Sequence, residues 1–279
     1  MQAKGPEKRS GPNREVRALP KVLVSGRGGS GKSTLVSLMS RSLSKRGPVL
    51  VVDADESNLG LPSMLGVDPP TRSVMDWLGG KGAVREKLFA ALRGEGRESP
   101  CFFESPVTLI SLPRDCLSSY GNIYLVRIGK IEHSMEGCAC PMGALARGFL
   151  KSLWVDSSEW VLVDTEAGIE HFGRGVLEGV DTVLLVVDPS REAVILAEKA
   201  ARLCREADKP FLVVGNRVDT GSEPILQDML LSAGLHTAAS FPYSPDIAQS
   251  NLEGSHLGEL GEEETLRELI SKMEAVATR

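Results

Sequence analysis

The feature that most constrains the fold is a glycine-rich segment at residues 26–33, which reads GRGGSGKS. Two glycines flank four residues and are followed by Lys32 and Ser33, the pattern of a phosphate-binding loop. An apolar run at 21–24 predicts a buried strand before the loop, and apolar residues at helical spacing across 35–43 predict a helix after it. A chance glycine-rich turn would not explain the strand, the helix and both polar residues together. The segment therefore predicts a nucleoside triphosphate site.

The residue types of this loop suit phosphate chemistry. Glycines let backbone N–H groups curl around phosphate oxygens, and the helix N-terminus adds partial positive charge. Lys32 is expected to neutralise the outer phosphates, and the Ser33 hydroxyl to join the coordination shell of Mg²⁺. The other loop residues predicted to surround the nucleotide are Gly26, Gly28, Gly29, Ser30 and Gly31.

Short apolar runs alternate with helical patterns along the chain. The runs predict strands at 20–25, 48–53, 122–128, 159–164, 181–187 and 210–215, with a weaker one at 237–241. Helical spacing predicts helices at 32–46, 141–154, 190–206, 223–233 and 262–277. Several runs are continuous in Val and Leu, which is typical of parallel strands covered on both faces. This order predicts an α/β fold, a doubly wound and mainly parallel sheet in a three-layer αβα arrangement.

Composition and the terminal residues indicate the partners, the domain organisation and the location to expect. The net charge of −5 does not favour a nucleic-acid partner, and the apolar runs are too short to span a membrane. Residues 1–19 are polar and lack the apolar core of a signal peptide, so a disordered tail is expected before a single domain at 20–279. Five cysteines without an export signal favour reduced thiols and a cytoplasmic location. Residues 56–121 are less regular, and 109–112 could add an edge strand there.

Acidic residues follow two of the predicted strands. Asp53 and Asp55 end the second strand, and Asp164 ends the fourth; Asp53 and Asp164 are expected to join Ser33 as Mg²⁺ ligands. Ligands of doubly wound sheets gather at the carboxyl ends of strands, where one Asp can hold Mg²⁺ and another can orient the attacking water. An Asp at a strand end can also merely cap the next turn. Two such clusters together with the phosphate loop favour the nucleotide interpretation.

A pair of cysteines lies at residues 138 and 140, in the segment Gly-Cys-Ala-Cys-Pro. Pro141 suits the first position of a helix, so Cys138 and Cys140 lie where the helix dipole favours thiolate, the metal-binding form. Two thiolates are half of a tetrahedral Zn²⁺-type site, and a two-fold dimer would complete it. Ordinary core cysteines remain the alternative for an isolated pair. Cys101, Cys116 and Cys204 lack such a setting and are expected to be structural.

Four segments resemble the deviant Walker A ATPases, the class that includes MinD, ParA and the nitrogenase iron protein, and within it the CooC-type accessory ATPases that insert nickel into carbon monoxide dehydrogenase. The resemblance covers roughly 20–275. It is carried by the phosphate loop and by VVDADESNLG at 51–60, RIGKIEHSMEGCACPMGALAR at 127–147 and VLVDTEAGIEHFGRG at 161–175.

The resemblance implies roles for individual residues. Lys32, Ser33 and Thr34 would hold the phosphates of ATP and Mg²⁺. Asp55 would orient the hydrolytic water, and Asp164 would be the Walker B acid. Asn216 would hydrogen-bond adenine. Cys138 and Cys140 would bind Ni²⁺ or Zn²⁺ at a four-cysteine site shared by two subunits.

One position departs from the class pattern. Arg27 stands where the class has a second lysine that reaches the phosphates of the partner subunit. Arginine keeps the charge, but its planar fork is not sterically equivalent to an ammonium group. The resemblance therefore implies an ATP- and metal-dependent homodimer whose hydrolysis depends on Lys32, Asp55 and Arg27.

Three functions follow from these observations. The leading one is a cytoplasmic ATPase that couples dimerisation to nickel delivery into carbon monoxide dehydrogenase or a related enzyme. The runner-up is an ATPase that donates electrons from an iron–sulfur cluster, although the iron proteins use widely separated cysteines. The third is an ATP-switched positioning protein. The acidic flanks of the helix at 262–277 favour packing on the sheet over membrane binding.

Overall fold

The computed structural model describes residues 21–93, 101–130, 140–169, 172, 175–258 and 262–276. An eight-stranded sheet lies at its centre, in the order β3-β4-β2-β5-β1-β6-β7-β8. Its strands are β1 Lys21–Gly26, β2 Val49–Ala54, β3 Ser118–Tyr120, β4 Ile123–Arg127, β5 Trp160–Thr165, β6 Thr182–Val187, β7 Phe211–Val218 and β8 Thr237–Pro242. All neighbouring strands pair in parallel except β3, which runs antiparallel to β4. The predicted doubly wound α/β fold is confirmed.

Helices cover both faces of the sheet. In the described part of the chain they are α1 Lys32–Ser44, α2 Leu61–Leu65, α3 Val74–Trp77, α4 Gly80–Arg93, α5 Cys140–Ser152, α6 Arg191–Glu206, α7 Ser222–Ser232, α8 Pro245–Glu253 and α9 Glu263–Val276. Side-chain caps fix where three of them begin, since Ser73 accepts from the Asp76 N–H, Ser190 from the Ala193 N–H and Ser244 from the Ile247 N–H. None of the described helices combines the length and apolar character that a membrane span requires.

Two apolar cores lie on opposite faces of the sheet. Strands β1, β2 and β5 contribute alternate residues to each core, which is why their sequences are apolar throughout. One core receives the buried face of α9, formed by Leu266, Leu269, Ile270 and Met273. The prediction that this last helix packs on its own sheet is confirmed.

The region 56–121 holds α2, α3 and α4 and the edge strand β3, which the sequence patterns did not predict. The expected edge strand at 109–112 is wrong. Those residues form a turn in which the side chains of Thr108 and Ser111 hydrogen-bond each other's backbone N–H groups, and the Leu112 N–H bonds the Thr108 carbonyl. Such local side-chain bonds compete with a sheet ladder. The predicted tail at 1–19 lies outside the described residues.

Candidate functional site

The phosphate loop joins β1 to α1 at the carboxyl edge of the sheet. Helix α1 begins at Lys32 without a side-chain cap, so its first N–H groups are directed at the loop. The Lys32 Nζ atom lies 3.3 Å from the carbonyl oxygen of Arg27 and its side chain is largely buried. Backbone donors, a helix N-terminus and an ammonium group therefore converge here, an arrangement suited to an anion.

Two glycines of the loop are required by close contacts. A Cβ atom on Gly26 would lie 2.4 Å from the carbonyl oxygen of Val186 on β6. At Gly31 the backbone is left-handed, with φ of 98°, and a Cβ atom would lie 2.1 Å from Nδ2 of Asn216. A side chain at Gly26 would collide with the β6 backbone, and one at Gly31 would both strain the left-handed backbone and push the Asn216 side chain away.

Ser33 and Asp164 form the polar centre of the site. The Ser33 hydroxyl donates to Oδ2 of Asp164 over 2.6 Å. Asp164 is fully buried, and its other oxygen, Oδ1, has no hydrogen-bond partner among the described residues. Burial raises the pKa of Asp164 to about 7, although the Ser33 hydrogen bond acts in the opposite direction.

These two residues fit a Mg²⁺ ion. A hydroxyl group and a carboxylate with an unsatisfied buried oxygen are ligand types that Mg²⁺ accepts together with phosphate oxygens. In the structure Asn58 donates from Nδ2 to Ser33 Oγ over 2.8 Å and to Asp164 Oδ2 over 3.2 Å. Asn58 therefore occupies Ser33 Oγ and Asp164 Oδ2, whereas Asp164 Oδ1 keeps no partner among the described residues.

Asp53, expected to bind Mg²⁺, instead faces basic side chains of its own chain. Its buried carboxylate pairs with Lys130, whose Nζ lies 3.0 Å from Oδ1 and 2.8 Å from Oδ2, and Arg127 Nε lies 3.8 Å from Oδ2. Burial raises the pKa of Asp53, and the charge of Lys130 opposes that rise. The carboxylate of Asp53 is thus neutralised within the chain.

Asp55 shapes the loop that follows β2. Its Oδ1 accepts hydrogen bonds from the N–H and hydroxyl of Ser57 at 2.9 and 2.8 Å and from the N–H of Asn58 at 3.2 Å. The carboxylate therefore fixes the loop that brings Asn58 to Ser33. This is the loop in which the water-orienting carboxylate was expected.

Arg27 is held by acidic residues of its own chain. Its guanidinium forms two hydrogen bonds with Asp188, of 3.3 and 2.8 Å, and lies 3.6 Å from Glu192 on α6. Asp188 directly follows β6, so this ion pair connects the phosphate loop to the neighbouring strand. The side chain remains 35% exposed, which leaves it accessible from outside the chain.

Asn216, expected to contact adenine, lies in β7 beside the loop. Its Nδ2 donates to the carbonyl oxygen of Ser30 over 2.7 Å. A groove of about 90 Å³ opens next to it, lined by Thr34, Leu35, Leu38, Asn216, Arg217, Phe241, Pro242, Tyr243, Ser244, Ile247, Ala248, Asn251 and Glu262. Apolar walls with a few polar groups are typical of sites for a nucleotide base.

The cysteine pair is only partly described. Cys138 lies outside the described residues, and Cys140 is the first residue of α5. In the first turn of that helix, Met142 and Gly143 line a cavity together with Glu56 and Glu166, which follow β2 and β5. The helix that begins with Cys140 therefore starts against the two loops that leave the nucleotide-binding edge.

Two of the three remaining cysteines are buried, as expected of structural cysteines. Cys116 and Cys204 are buried, and burial raises their pKa to about 11 and about 12, which disfavours thiolate. Cys101 is exposed. Within the described ranges no three His, Cys, Asp or Glu side chains are grouped so that they could hold a metal ion.

The chain is similar to curated ATP-binding proteins along most of its length. An uncharacterized ATP-binding protein of Methanocaldococcus jannaschii is 39% identical over 254 residues, which cover 90% of this chain and all of that protein. The carbon monoxide dehydrogenase accessory protein CooC of Rhodospirillum rubrum is 34% identical over 188 residues, 67% of this chain and 69% of that protein. The chain belongs to the MinD/ParA class of ATP-binding proteins.

Solved structures of the MinD/ParA class share the fold. The septum site-determining protein MinD of Pyrococcus horikoshii, complexed with Mg-ADP, superposes with a TM-score of 0.63 at 21% identity over 92% of this chain and 97% of that one. No family model matches the chain.

Three residues of this MinD/ParA-class site were missed by sequence reasoning: Asn58, Lys130 and Asp188. Each makes its key contact with a residue at least 25 positions away. Asn58 and Lys130 lie in segments that the resemblance itself covers, but no spacing rule gives them partners. Asp188 directly follows a predicted strand, and the rule that led to Asp53 and Asp164 would also have indicated it.

Proposed function

We propose that this protein binds and hydrolyses ATP with Mg²⁺ and uses that cycle to deliver nickel into carbon monoxide dehydrogenase or a related enzyme in the cytoplasm. In this proposal Lys32, the loop backbone and Thr34 hold the phosphates, and Asn216 with its groove holds the adenine. Asp55 orients the attacking water. Ser33 and Asp164 hold Mg²⁺, which neutralises the phosphate oxygens, while Asp53 acts through its ion pair with Lys130.

The single observation that carries the proposal is the position of α5. Cys140 begins this helix, and its first turn lies against Glu56 and Glu166, one residue beyond Asp55 and two beyond Asp164. A metal held by Cys138 and Cys140 would therefore lie close to loops that respond to nucleotide. The similarity to CooC supports the choice of nickel and of the recipient enzyme.

Metal stoichiometry tests the proposal. One chain offers two thiolates at this pair, whereas a tight soft-metal site requires four ligands. We therefore expect one Ni²⁺ or Zn²⁺ per two chains, and a metal that binds only the dimer must stabilise it. Protein purified without oxygen should shift toward dimer in sedimentation when Ni²⁺ is added.

Cysteine variants supply the control for that experiment. Cys138→Ala and Cys140→Ala should each abolish the metal-dependent shift without changing ATP binding by the monomer, whereas Cys101→Ala should keep it. A dimer shift that survives in the Cys138/Cys140 double variant, or one tightly bound metal per monomer, would place the ligands elsewhere and refute the nickel proposal.

A further inference from the structure

A cavity of about 260 Å³ opens at the carboxyl end of β4. The described residues that line it include Ser73, Asp76, Lys81, Arg127, Lys130 and Met142, none of which lines the groove beside Asn216. In the sheet, β2 and β5 lie between β4 and β1, the strand that leads into the phosphate loop. Three strand spacings amount to about 14 Å, so this cavity is a separate place on the same edge of the sheet.

Arg127, the last residue of β4, brings a guanidinium group to this cavity. The group has no hydrogen-bond partner among the described residues, its Nε atom is buried, and the side chain is 16% exposed. In that part of the chain its one ion pair is with Asp53, whose Oδ2 lies 3.8 Å from Nε, beyond hydrogen-bond distance. Because a guanidinium group has five N–H donors and an unpaired buried donor is unfavourable, Arg127 can accommodate a further acceptor.

The charge of Asp53 is already neutralised by Lys130. The Nζ atom of Lys130 lies 3.0 Å from Oδ1 and 2.8 Å from Oδ2 of that carboxylate. The same ammonium group also donates to the carbonyl oxygens of Asp55 and Asn58, so its three donors are in use. The positive charge of Arg127 therefore remains without a hydrogen-bonded counter-ion in the described structure.

The acidic side chain in the wall of the cavity is engaged within its own helix. Oδ2 of Asp76 accepts hydrogen bonds from the N–H and the hydroxyl of Ser73, over 3.0 and 2.6 Å, in the capping box that begins α3. Among the described lining residues Asp76 is the one acid, against Arg127, Lys130 and Lys81. This balance of charge favours an anion in the cavity.

Two longer helices begin beside the cavity and add to its positive potential. Lys81 is the second residue of α4, which has 14 residues, and Met142 is the third residue of α5, which has 13. The N–H groups of a first helical turn have no acceptor within the helix, and they carry partial positive charge. The cavity thus combines an under-bonded guanidinium group with the first turns of two helices.

We propose that this cavity binds a small oxyanion of the phosphate or carboxylate class, held by the guanidinium group of Arg127 through paired N–H···O bonds. The planar fork of arginine matches two oxygens of either anion. The volume lies below the range of about 300–1,000 Å³ that is typical of sites for drug-sized ligands, so the anion is small. The site goes beyond the proposed function, because neither the nucleotide nor the cysteine pair takes part in it.

Titration of inorganic phosphate into the full-length protein tests the site. The phosphate loop also attracts phosphate, so it is first filled with saturating Mg–AMPPNP. Calorimetry at constant ionic strength should then show one phosphate bound per chain, with a dissociation constant of about 1 mM or less. Malonate, titrated in the same way, is the carboxylate probe, and the tighter of the two anions identifies the class. Absence of saturable binding by both would overturn the proposal.

Substitutions of Arg127 locate the bound anion. Arg127→Met should weaken binding at least about tenfold, because it removes the charged donors. Arg127→Lys, which keeps the charge but not the planar fork, should bind with intermediate affinity. Arg202→Met, at an exposed arginine paired with Glu206 on α6, should bind the anion as wild type does. Undiminished binding by Arg127→Met would place the anion elsewhere and refute the site.

A measurement on the wild-type protein covers the case in which Arg127→Met does not fold. Phenylglyoxal modifies arginine side chains, and mass spectrometry of each peptide gives the rate at each arginine. With Mg–AMPPNP present, the anion at about ten times its dissociation constant should slow modification of Arg127 at least about fivefold and leave Arg202 unchanged. Equal rates at Arg127 with and without the anion would contradict the proposal.

The nucleotide assignment and the anion site can fail independently. If Mg–AMPPNP does not bind the wild-type protein, the phosphate-loop assignment fails. The same anion titration in Lys32→Ala, which lacks the ammonium group of that loop, then still tests the cavity beside Arg127.

Discussion

Single residues at the carboxyl edge of the sheet have two kinds of role: some supply charge, and others fix the geometry of a loop. Lys32 brings a positive charge to the phosphate loop, whereas Asp55 uses its carboxylate to fix the loop of Ser57 and Asn58. Substitutions at these two positions should therefore have different consequences for binding and for turnover.

For Lys32→Ala we expect ATP–Mg²⁺ binding at least about tenfold weaker, equivalent to about 1.4 kcal/mol, because the main positive charge at the outer phosphates is lost. Isothermal titration calorimetry measures the affinity. Lys45→Ala, at the residue that directly follows α1, serves as the control. Asp55→Asn should largely retain binding and lose turnover. Unchanged ATP affinity in Lys32→Ala would remove the phosphate-loop assignment.

The raised pKa of Asp164 predicts a pH effect on cation binding. Because that pKa is about 7 in the free protein, the carboxyl group is largely protonated at pH 6 and must lose its proton to bind Mg²⁺. We expect Mg–nucleotide binding to release a proton and to weaken by up to about tenfold per pH unit below 7. Titrations in two buffers of different ionisation enthalpy measure the release, which Asp164→Asn should abolish.

The raised pKa of Asp164 also makes the stability of the nucleotide-free protein depend on pH. Stability falls as pH rises, whereas Mg–nucleotide binding strengthens. The folded pKa lies above the unfolded value of 3.8, so the stability that the protonated group contributes is lost as pH rises from about 4 through 7. Relative to wild type, nucleotide-free Asp164→Asn should gain stability at pH 8 and show a smaller gain at pH 5, measured by urea unfolding.

At the scale of helices and strands, the last helix illustrates how packing decides stability. Leu269 on α9 is fully buried in one of the two cores, while its neighbour Glu268 is exposed. Leu269→Ala should lower the free energy of unfolding by about 2–5 kcal/mol, because it removes apolar contacts and leaves a cavity. Glu268→Ala should change it by less than about 0.5 kcal/mol in the same denaturant titration. Equal effects of the two substitutions would contradict the packing of α9.

The elements that sequence patterns predicted are those with strong periodicity. Apolar runs predicted β1, β2 and β4 to β8, with starts displaced by no more than one residue and most ends close by. The clearest runs belong to strands buried on both faces, which leave no polar interruptions, whereas β8 is mostly half-buried and its pattern is weaker. The helices α2 and α3 have five and four residues, too few to show a period, and β3 is mostly exposed. The turn at 108–111 depends on two side-chain hydrogen bonds that hydrophobic patterns do not record.

At the scale of the whole molecule, the site is assembled from strands that lie far apart in the sequence. The phosphate loop and Asp164 could be predicted because each follows or ends a recognisable strand or motif, whereas Asn216 was expected only from the resemblance to the ATPase class. The contacts of Asn58, Lys130 and Asp188 could not be predicted, because they depend on which strands become neighbours. No local sequence pattern gives the strand order of the sheet.

The ion pair of Arg27 bears on the association of two chains. If Arg27 reaches the partner's phosphates, it must leave Asp188 first. Arg27→Ala should reduce ATP-dependent dimerisation and hydrolysis while the ATP affinity of the monomer is retained, and Arg27→Lys should preserve dimerisation. Sedimentation velocity with ATP and a phosphate-release assay measure the two effects. Full dimerisation of Arg27→Ala would exclude the cross-subunit role.

The central place of β1 in the sheet has a consequence for the way the protein is made. This first strand pairs with β5 and β6, whose residues leave the ribosome more than a hundred positions later. A nascent chain that ends before residue 187 therefore carries a complete GRGGSGKS segment but lacks one of the two strands that flank it. We therefore expect the phosphate loop to capture nucleotide only after the chain has been synthesised through β6, more than a hundred residues beyond the loop itself.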